Sequence, residues 1–334
     1  MSARRPSGAV LGIGGIGSGL TFALNGDHTL GREESRAASL LDARDYCKLH
    51  IVLHHVRRLL PADVEVVPIG AVGDDAPGRS LLAQIAAEGM PTDRVALVAG
   101  APTLFAVSFV YPSGDGGNLT TSGSASDQVT PGQARAALDS LETAPLVVAA
   151  LPEVPLAARA ALLSAAPMAA TRVASFVTAE VEGTAVADLL ADVDLVALNL
   201  DEARALCRSA AHDPADVARA VAATVRGVGA RAIVTAGAAG SWSWDGQTLE
   251  HVRVRATVVR STAGAGDAHL GAVIAALVLG AQLHEANRLG AVVSALKVTS
   301  ADTINAQIDA DLVRLAVGRS GLEIPVARRL GRGR

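Results

Sequence analysis

Ser261-Thr262-Ala263-Gly264-Ala265-Gly266-Asp267 leads into the apolar run Ala272 to Leu279. The pattern predicts a strand over Val254–Val259, a tight turn of small residues, and the start of a buried helix. Gly264 and Gly266 let the backbone approach a ligand, because no side chain shields their amides. A helix starting there aims unpaired N–H groups, and the positive end of its dipole, at one point. Such a point binds anions. Asp267 falls in the first helical turn beside it. A carboxylate there can take the proton of an attacking hydroxyl. The amides of Gly264, Ala265 and Gly266 can meanwhile hold charge developing on a phosphoryl group. The plainer reading of these residues is a strand–turn–helix with a capping aspartate.

Around this stretch, strand and helix patterns alternate. Residues 8–13 and 64–72 read as strands, and Arg79–Glu88 as a helix ended by Gly89. Helix 131–140, strand 146–150, helix 155–165, strands 172–177 and 194–198, helix 200–209 and strand 232–235 follow. That order predicts a parallel sheet with helices on both faces. Leu104–Tyr111 and Asn118–Thr121 read as a hairpin around residues 113–117. Asp42–Leu60 reads as a helix, with Leu49, Leu53, Val56 and Leu60 at core spacing. Its other face is polar, through Asp42, Asp45, Tyr46, Lys48, His50, His54 and His55. His50 and His54 have the spacing of a shared metal site. With no third ligand in view, a pocket-lining or exposed face is expected instead.

The 334 residues allow one large α/β domain or two small ones. Half are hydrophobic and only 2% aromatic, so the core is built from Ala, Val and Leu. A net charge of −4 gives no general attraction to nucleic acid or anionic membrane. Cys47 and Cys207 are too few for a disulfide framework, which suits a cytoplasmic location. The longest clean apolar run, Ala272 to Ala281, is too short to span a bilayer. Arg4-Arg5 ahead of Ala9–Leu24 faintly resembles a signal peptide, but its repeated glycines weaken any apolar helix. Gly12-x-Gly14-x-x-Gly17 matches the dinucleotide pattern and would point to a nicotinamide oxidoreductase. That unit needs a helix directly after the glycines, whereas Gly19, Asn25, Gly26 and Gly31 follow here. No P-loop pattern occurs.

Thr262–Asp267 resembles the signature of the ribokinase-like (PfkB) carbohydrate kinases, usually Asp-Thr-Thr-Gly-Ala-Gly-Asp. Asn199-x-x-Glu202, Thr235-x-Gly237-x-x-Gly240 and Gly73-Asp74-Asp75-Ala76-Pro77-Gly78 resemble further family segments. The resemblance implies one kinase domain over residues 1–334. Its fold would be a three-layer α/β/α sandwich with a mostly parallel central sheet. A small β lid is expected at about 14–40 and 97–122, and a solvated, mobile basic tail at 318–334. It also implies ATP and Mg²⁺ as cofactors, with Asp267 as catalytic base and Gly264, Ala265 and Gly266 as anion hole. Asn199 and Glu202 would organise Mg²⁺ through water, and Thr235, Gly237, Gly240 and Thr262 would line the nucleotide. The implied partners are ATP and a small-molecule acceptor, with no nucleic acid and no membrane; a homodimer through the lid is compatible.

The resemblance is poor over residues 14–55, where the acceptor should bind. The family's Gly-Gly-x-x-x-Asn is missing; Asp45 and Tyr46 stand near the two glycines and His50 near the Asn. Arg44 and Lys48, read one helical turn apart, would present two positive charges to an anionic acceptor. Arg44, Asp45, Tyr46, Lys48, His50 and Asp74 are therefore the expected acceptor residues, Asp74 reading equally as a helix cap. Relatives bind K⁺ through the Asp that opens their signature. Ser261 stands there, so weak or no K⁺ activation is expected. The function this supports is ATP-dependent phosphoryl transfer to a hydroxyl of a sugar, nucleoside or related polyol. The rewritten acceptor segment keeps a non-catalytic ligand-binding protein on the same fold as the alternative, with the oxidoreductase behind it.

Overall fold

A computed structural model describes residues 7–332, apart from 27, 29, 30, 113–115, 183, 184 and 255–257. The chain runs β1 (Gly8–Ile13), β2 (Gly17–Leu24), β3 (Ala38–Leu40), β4 (Asp45–Tyr46), α1 (Lys48–Leu59), β5 (Val64–Gly73), α2 (Ala76–Ala87), β6 (Val95–Val98), β7 (Leu104–Val110) and β8 (Gly116–Thr120). Next come α3 (Pro131–Asp139), β9 (Pro145–Ala150), α4 (Leu156–Ala165), β10 (Thr171–Ser175), α5 (Thr178–Val181), α6 (Ala185–Leu190), β11 (Leu195–Asn199), α7 (Leu200–Cys207) and α8 (Pro214–Arg226). The last are β12 (Arg231–Thr235), β13 (Ser241–Trp244), β14 (Leu249–Val252), α9 (Ala265–Val278), α10 (Leu283–Lys297) and α11 (Ala310–Ser320).

Every residue of β1 is buried, the expected signature of a strand covered on both faces. It lies inside a nine-stranded sheet ordered β14-β13-β12-β11-β10-β9-β1-β5-β6. The strands from β12 through to β6 are parallel, and β13 and β14 return antiparallel at one edge. One buried cluster joins Val10 and Val66 to α1, α9, α10 and α11. The other joins Ala9, Leu11 and Val67 to α3, α4, α7 and α8. The result is the three-layer α/β/α sandwich the alternation predicts. A second sheet, β3-β2-β7-β8 with β4 on β2, forms the lid.

The lid is narrower than expected. Residues 97 and 98 belong to β6 in the main sheet, and β2 opens only at Gly17. Because a strand follows Gly17, the dinucleotide-type glycines have no helix after them, and the oxidoreductase reading loses its structural basis. The expected strand over 254–259 is absent among the described residues, since β14 ends at Val252; residues 255–257 lie outside them. The turn of the expected hairpin, 113–115, also lies outside the described residues.

α1 starts at Lys48, not Asp42. Asp45 and Tyr46 instead pair with Gly19 and Ser18 of β2. Gly19 permits this: a Cβ there would stand 2.7 Å from the Asp45 carboxylate. α1 crosses α9 closely, because a Cβ on Gly271 would meet the Val52 carbonyl at 2.6 Å. The basic tail is not a free end through Arg332. Val326 and Leu330 are buried, and the Gly331 N–H donates to the Leu59 carbonyl at 2.9 Å.

Candidate active site

Parallel strands end at a common edge, and ligands bind outside that edge. Here Ser175, Asn199 and Thr235 close β10, β11 and β12, with Asn199 and Thr235 side by side in register. Beside them the turn 261–264 delivers the N-terminus of α9. Gly264 holds φ +75°, and a Cβ on it would stand 2.4 Å from the Thr303 carbonyl oxygen, so no larger residue fits. The Ala265 N–H donates to the Thr262 carbonyl at 3.1 Å and closes the turn. It is therefore engaged, contrary to the expected anion hole. The amides of Gly264, Gly266 and Asp267 itself donate to no partner among the described residues.

Asp267 lies half-buried in the first turn of α9, its Oδ1 3.7 Å from the Lys48 ammonium. Lys48 also donates to Ser175 Oγ at 2.9 Å. Burial raises the Asp267 carboxyl above its ordinary range, against the pull of Lys48 and Lys297. Burial works to lower Lys48, but the carboxylates of Asp267, Glu202 and Glu153 outweigh it and the ammonium ends raised. At this separation each charge favours the ionised form of the other, so Lys48 opposes the effect of burial on Asp267.

Both groups face a cavity of about 770 Å³. The structure brings Asn199, Glu202, Thr235, Gly237, Gly240, Thr262, Ala265 and Gly266 together on its lining; Ser175 and Arg253 are lining residues the sequence reading missed. Gly240, at φ +98°, has no room for a Cβ, which would lie 2.3 Å from the Val252 carbonyl. Asn199 caps α7, accepting from the Asp201 and Glu202 amides at 2.9 Å each. Glu202 answers with both oxygens, taking the Asn199 N–H and its side-chain amide at 2.8 Å each. Burial raises the Glu202 carboxyl, opposed by Lys48. Each of its oxygens accepts one of those hydrogen bonds and has a second lone pair, so water bound to Mg²⁺ can still donate to it. Among the described residues no group of three His, Cys, Asp or Glu could ligate a metal directly. The donor set thus fits a Mg²⁺ held through its water shell.

The expected acceptor residues are largely not brought together. Only Lys48 reaches the cavity. Arg44 is exposed, and its place before β4 removes the one-turn pairing with Lys48. Asp45 is buried and accepts from Ser108 Oγ in the lid at 2.7 Å. Tyr46 donates from its hydroxyl to Gln84 Oε1 at 2.8 Å and sets its ring edge-on to His50, 4.7 Å between centroids. His50 and His54 are buried and turn to Glu88, at 3.5 and 2.9 Å, rather than to an exposed or pocket-lining face. Asp74 is an exposed partner of Arg79, and the cap of α2 is Asp75, which accepts from the Gly78 N–H at 2.8 Å. Glu153 is a further residue the sequence did not flag. It follows β9 at φ +72°, and its side chain occupies the space over Gly15. Burial and the charge of Asp267 raise it to about 7, with Lys48 opposing.

Solved structures with this fold include ribokinase from Arabidopsis thaliana, complexed with ribose and ATP. It is 18% identical, covering 96% of this chain and 100% of that one, with a TM-score of 0.75. Ribokinase from Cryptococcus neoformans var. grubii serotype A in complex with ADP is 20% identical, covering 92% and 99%, with a TM-score of 0.75. The Burkholderia thailandensis nucleoside kinase in complex with inosine is 15% identical, covering 93% and 98%, with a TM-score of 0.74. No curated protein sequence matches the chain. Residues 52–310 match the sequence profile of the pfkB family carbohydrate kinases, a span that includes Asn199–Glu202, Thr235–Gly240 and Thr262–Asp267. The chain belongs to that family of carbohydrate kinases.

Proposed function

We propose that this chain is an ATP-dependent kinase that transfers the γ-phosphoryl group to a hydroxyl of a sugar, nucleoside or related polyol. The observation that carries the reading is the joint placement of Asp267 and the open Gly266 and Asp267 amides on the cavity lining, with the Gly264 amide in the adjoining turn. In-line phosphoryl transfer is mostly positioning plus charge stabilisation. Asp267 accepts the proton of the attacking hydroxyl, and the amides and α9 dipole hold the equatorial oxygens. The Lys48 ammonium, 3.7 Å away, keeps Asp267 ionised and adds positive charge where the transferred group passes. Asn199 and Glu202 organise the water shell of Mg²⁺, which, when bound with ATP, neutralises charge on the phosphates. Thr235, Gly237, Gly240 and Thr262 line the nucleotide. Adenosine nucleotides in the Arabidopsis and Cryptococcus relatives support ATP as the donor.

No helix of the described residues is long and apolar enough to cross a membrane. We place the reaction in the cytoplasm, and treat the two sheets as one catalytic domain. The test is a phosphorylation screen with ATP and Mg²⁺ across sugars, sugar phosphates and nucleosides. At least one acceptor is expected to turn over, and Asp267→Asn to slow it at least about a hundredfold. Tight ATP binding with no turnover of any acceptor would leave the non-catalytic binding protein.

A further inference from the structure

Lys297 ends α10 with its side chain 0% exposed. A lysine is almost never buried so completely unless its charge is matched. Its ammonium donates to the Ser261 carbonyl, at the start of the anion-hole turn, at 3.4 Å. Three segments are joined around it. The Arg260 and Ser261 amides both donate to the Val298 carbonyl, at 2.7 and 3.3 Å. Gly264 lies against the Thr303 carbonyl. The Thr303 N–H donates to the Arg44 carbonyl at 3.0 Å, the Tyr46 N–H to Thr303 Oγ1 at 3.0 Å, and the Arg44 N–H to Asp302 Oδ1 at 2.8 Å. The turn, the loop after α10 and strand β4 therefore form one hydrogen-bonded unit with the ammonium inside it.

We propose that Lys297 is an internal cation that positions the anion-hole turn and the Asp267 carboxylate for phosphoryl transfer. The inference rests on the kinase reading and adds a residue to it. Lys297 is a positioning residue, acting through the Ser261 carbonyl from behind the turn. A carbonyl held by a cation fixes the plane of its own peptide, here Ser261–Thr262, so the charge sets the direction in which the chain enters the turn that carries the Gly264, Gly266 and Asp267 amides. The cation also lies in the field of Asp267 on α9, Asp302 in the following loop and Asp45 on β4, in that order of strength. Without it these three negative charges would repel one another in a poorly solvated region. Burial lowers the Lys297 ammonium to about 8, with the three carboxylates opposing. The charged form is therefore present at neutral pH and is lost as pH rises past about 8.

Lys297→Ala empties a space bordered by the Ser261 carbonyl, into which a small monovalent cation can enter. The first measurement is the melting temperature in choline, potassium and ammonium chloride at one ionic strength. The alanine variant is expected to melt lower in choline and to recover in ammonium or potassium chloride, while the wild type does not respond. The second uses an acceptor from the screen. Turnover of Lys297→Ala should fall at least about tenfold with the KM for ATP within about twofold, and ammonium should restore part of it. Lys297→Met, which keeps the bulk without the charge, should stay slow in every salt and lack the wild type's alkaline limb near pH 8. Wild-type turnover and an unchanged alkaline limb in the methionine variant would overturn the proposal. So would an alanine variant that melts alike in all three salts. Should the alanine variant fail to fold, the methionine variant decides. Should no acceptor turn over, the kinase reading fails, and the salt-dependent melting still tests Lys297 as the internal cation.

Discussion

Asp267 must be ionised to take a proton, yet burial raises its carboxyl. A raised base is charged only above its own pKa, so activity is lost as pH falls through it. The acid limb of kcat/KM should lie above the ordinary aspartate value of about 3.9. Asp267→Asn should cut kcat at least about a hundredfold while ATP binding, measured by calorimetry, is retained. Near-wild-type turnover would remove Asp267 from the mechanism. Glu202→Ala leaves the Asn199 amides unanswered and deletes the water-ordering carboxylate, so the Mg²⁺ concentration for half-maximal rate should rise. Arg44 and Lys48 should separate: Lys48→Met lowers kcat because its partner is the proposed base, whereas the exposed Arg44→Ala changes neither KM. Equal effects of the two substitutions would restore the paired-cation site. Ser261 and the ammonium behind it both argue against K⁺ activation, which exchange of Na⁺ for K⁺ at constant ionic strength measures.

At the scale of elements, the α1–α9 crossing sets where Lys48 and Asp267 meet. An exposed helical Gly→Ala ordinarily gains about 1 kcal/mol. At Gly271 the new methyl would stand 2.6 Å from the Val52 carbonyl, so overpacking should dominate, at roughly 1–3 kcal/mol. Gly271→Ala should lower the melting temperature and also kcat, since α1 carries Lys48; an unchanged kcat would mean the crossing does not tune the pair. This crossing also marks where reading the chain succeeds and fails. Strand β1 and helix α4 were legible because their apolar runs and flanking Gly or Pro are local signals. The start of α1 was not. Its apolar spacing fades gradually toward Asp42, and what converts Asp45 and Tyr46 to a strand is remote: Gly19 opposite, Ser108 in the lid and Thr303 near the far end of the sequence. The one-turn pairing of Arg44 with Lys48 fails for the same reason.

Over the whole molecule, the segments that the resemblance assigns to the nucleotide could be read because each is a short contiguous motif, at a strand end or at the start of a helix. Asn199–Glu202, Thr235–Gly240 and Thr262–Asp267 are of this kind. The cluster of Lys48, Ser175 and Glu153 could not, because these residues meet only through the sheet order. A ligand that binds only the folded chain stabilises all of it. ATP with Mg²⁺ at about a hundred times its Kd should therefore add about 2.7 kcal/mol. NADH should leave the melting temperature unchanged, and the reverse result would reinstate the oxidoreductase.

The segment 325–332 bears on how the protein can be handled in the laboratory. Leu330 is buried, and the Gly331 amide holds the Leu59 carbonyl at the far end of the helix that begins with Lys48. Trimming the chain after Ser320, or fusing a bulky tag directly to Leu330, would uncover that helix end and loosen its seat against α9. An affinity handle placed there without a spacer should depress activity through the active-site lysine, even though it lies at the opposite end of its helix.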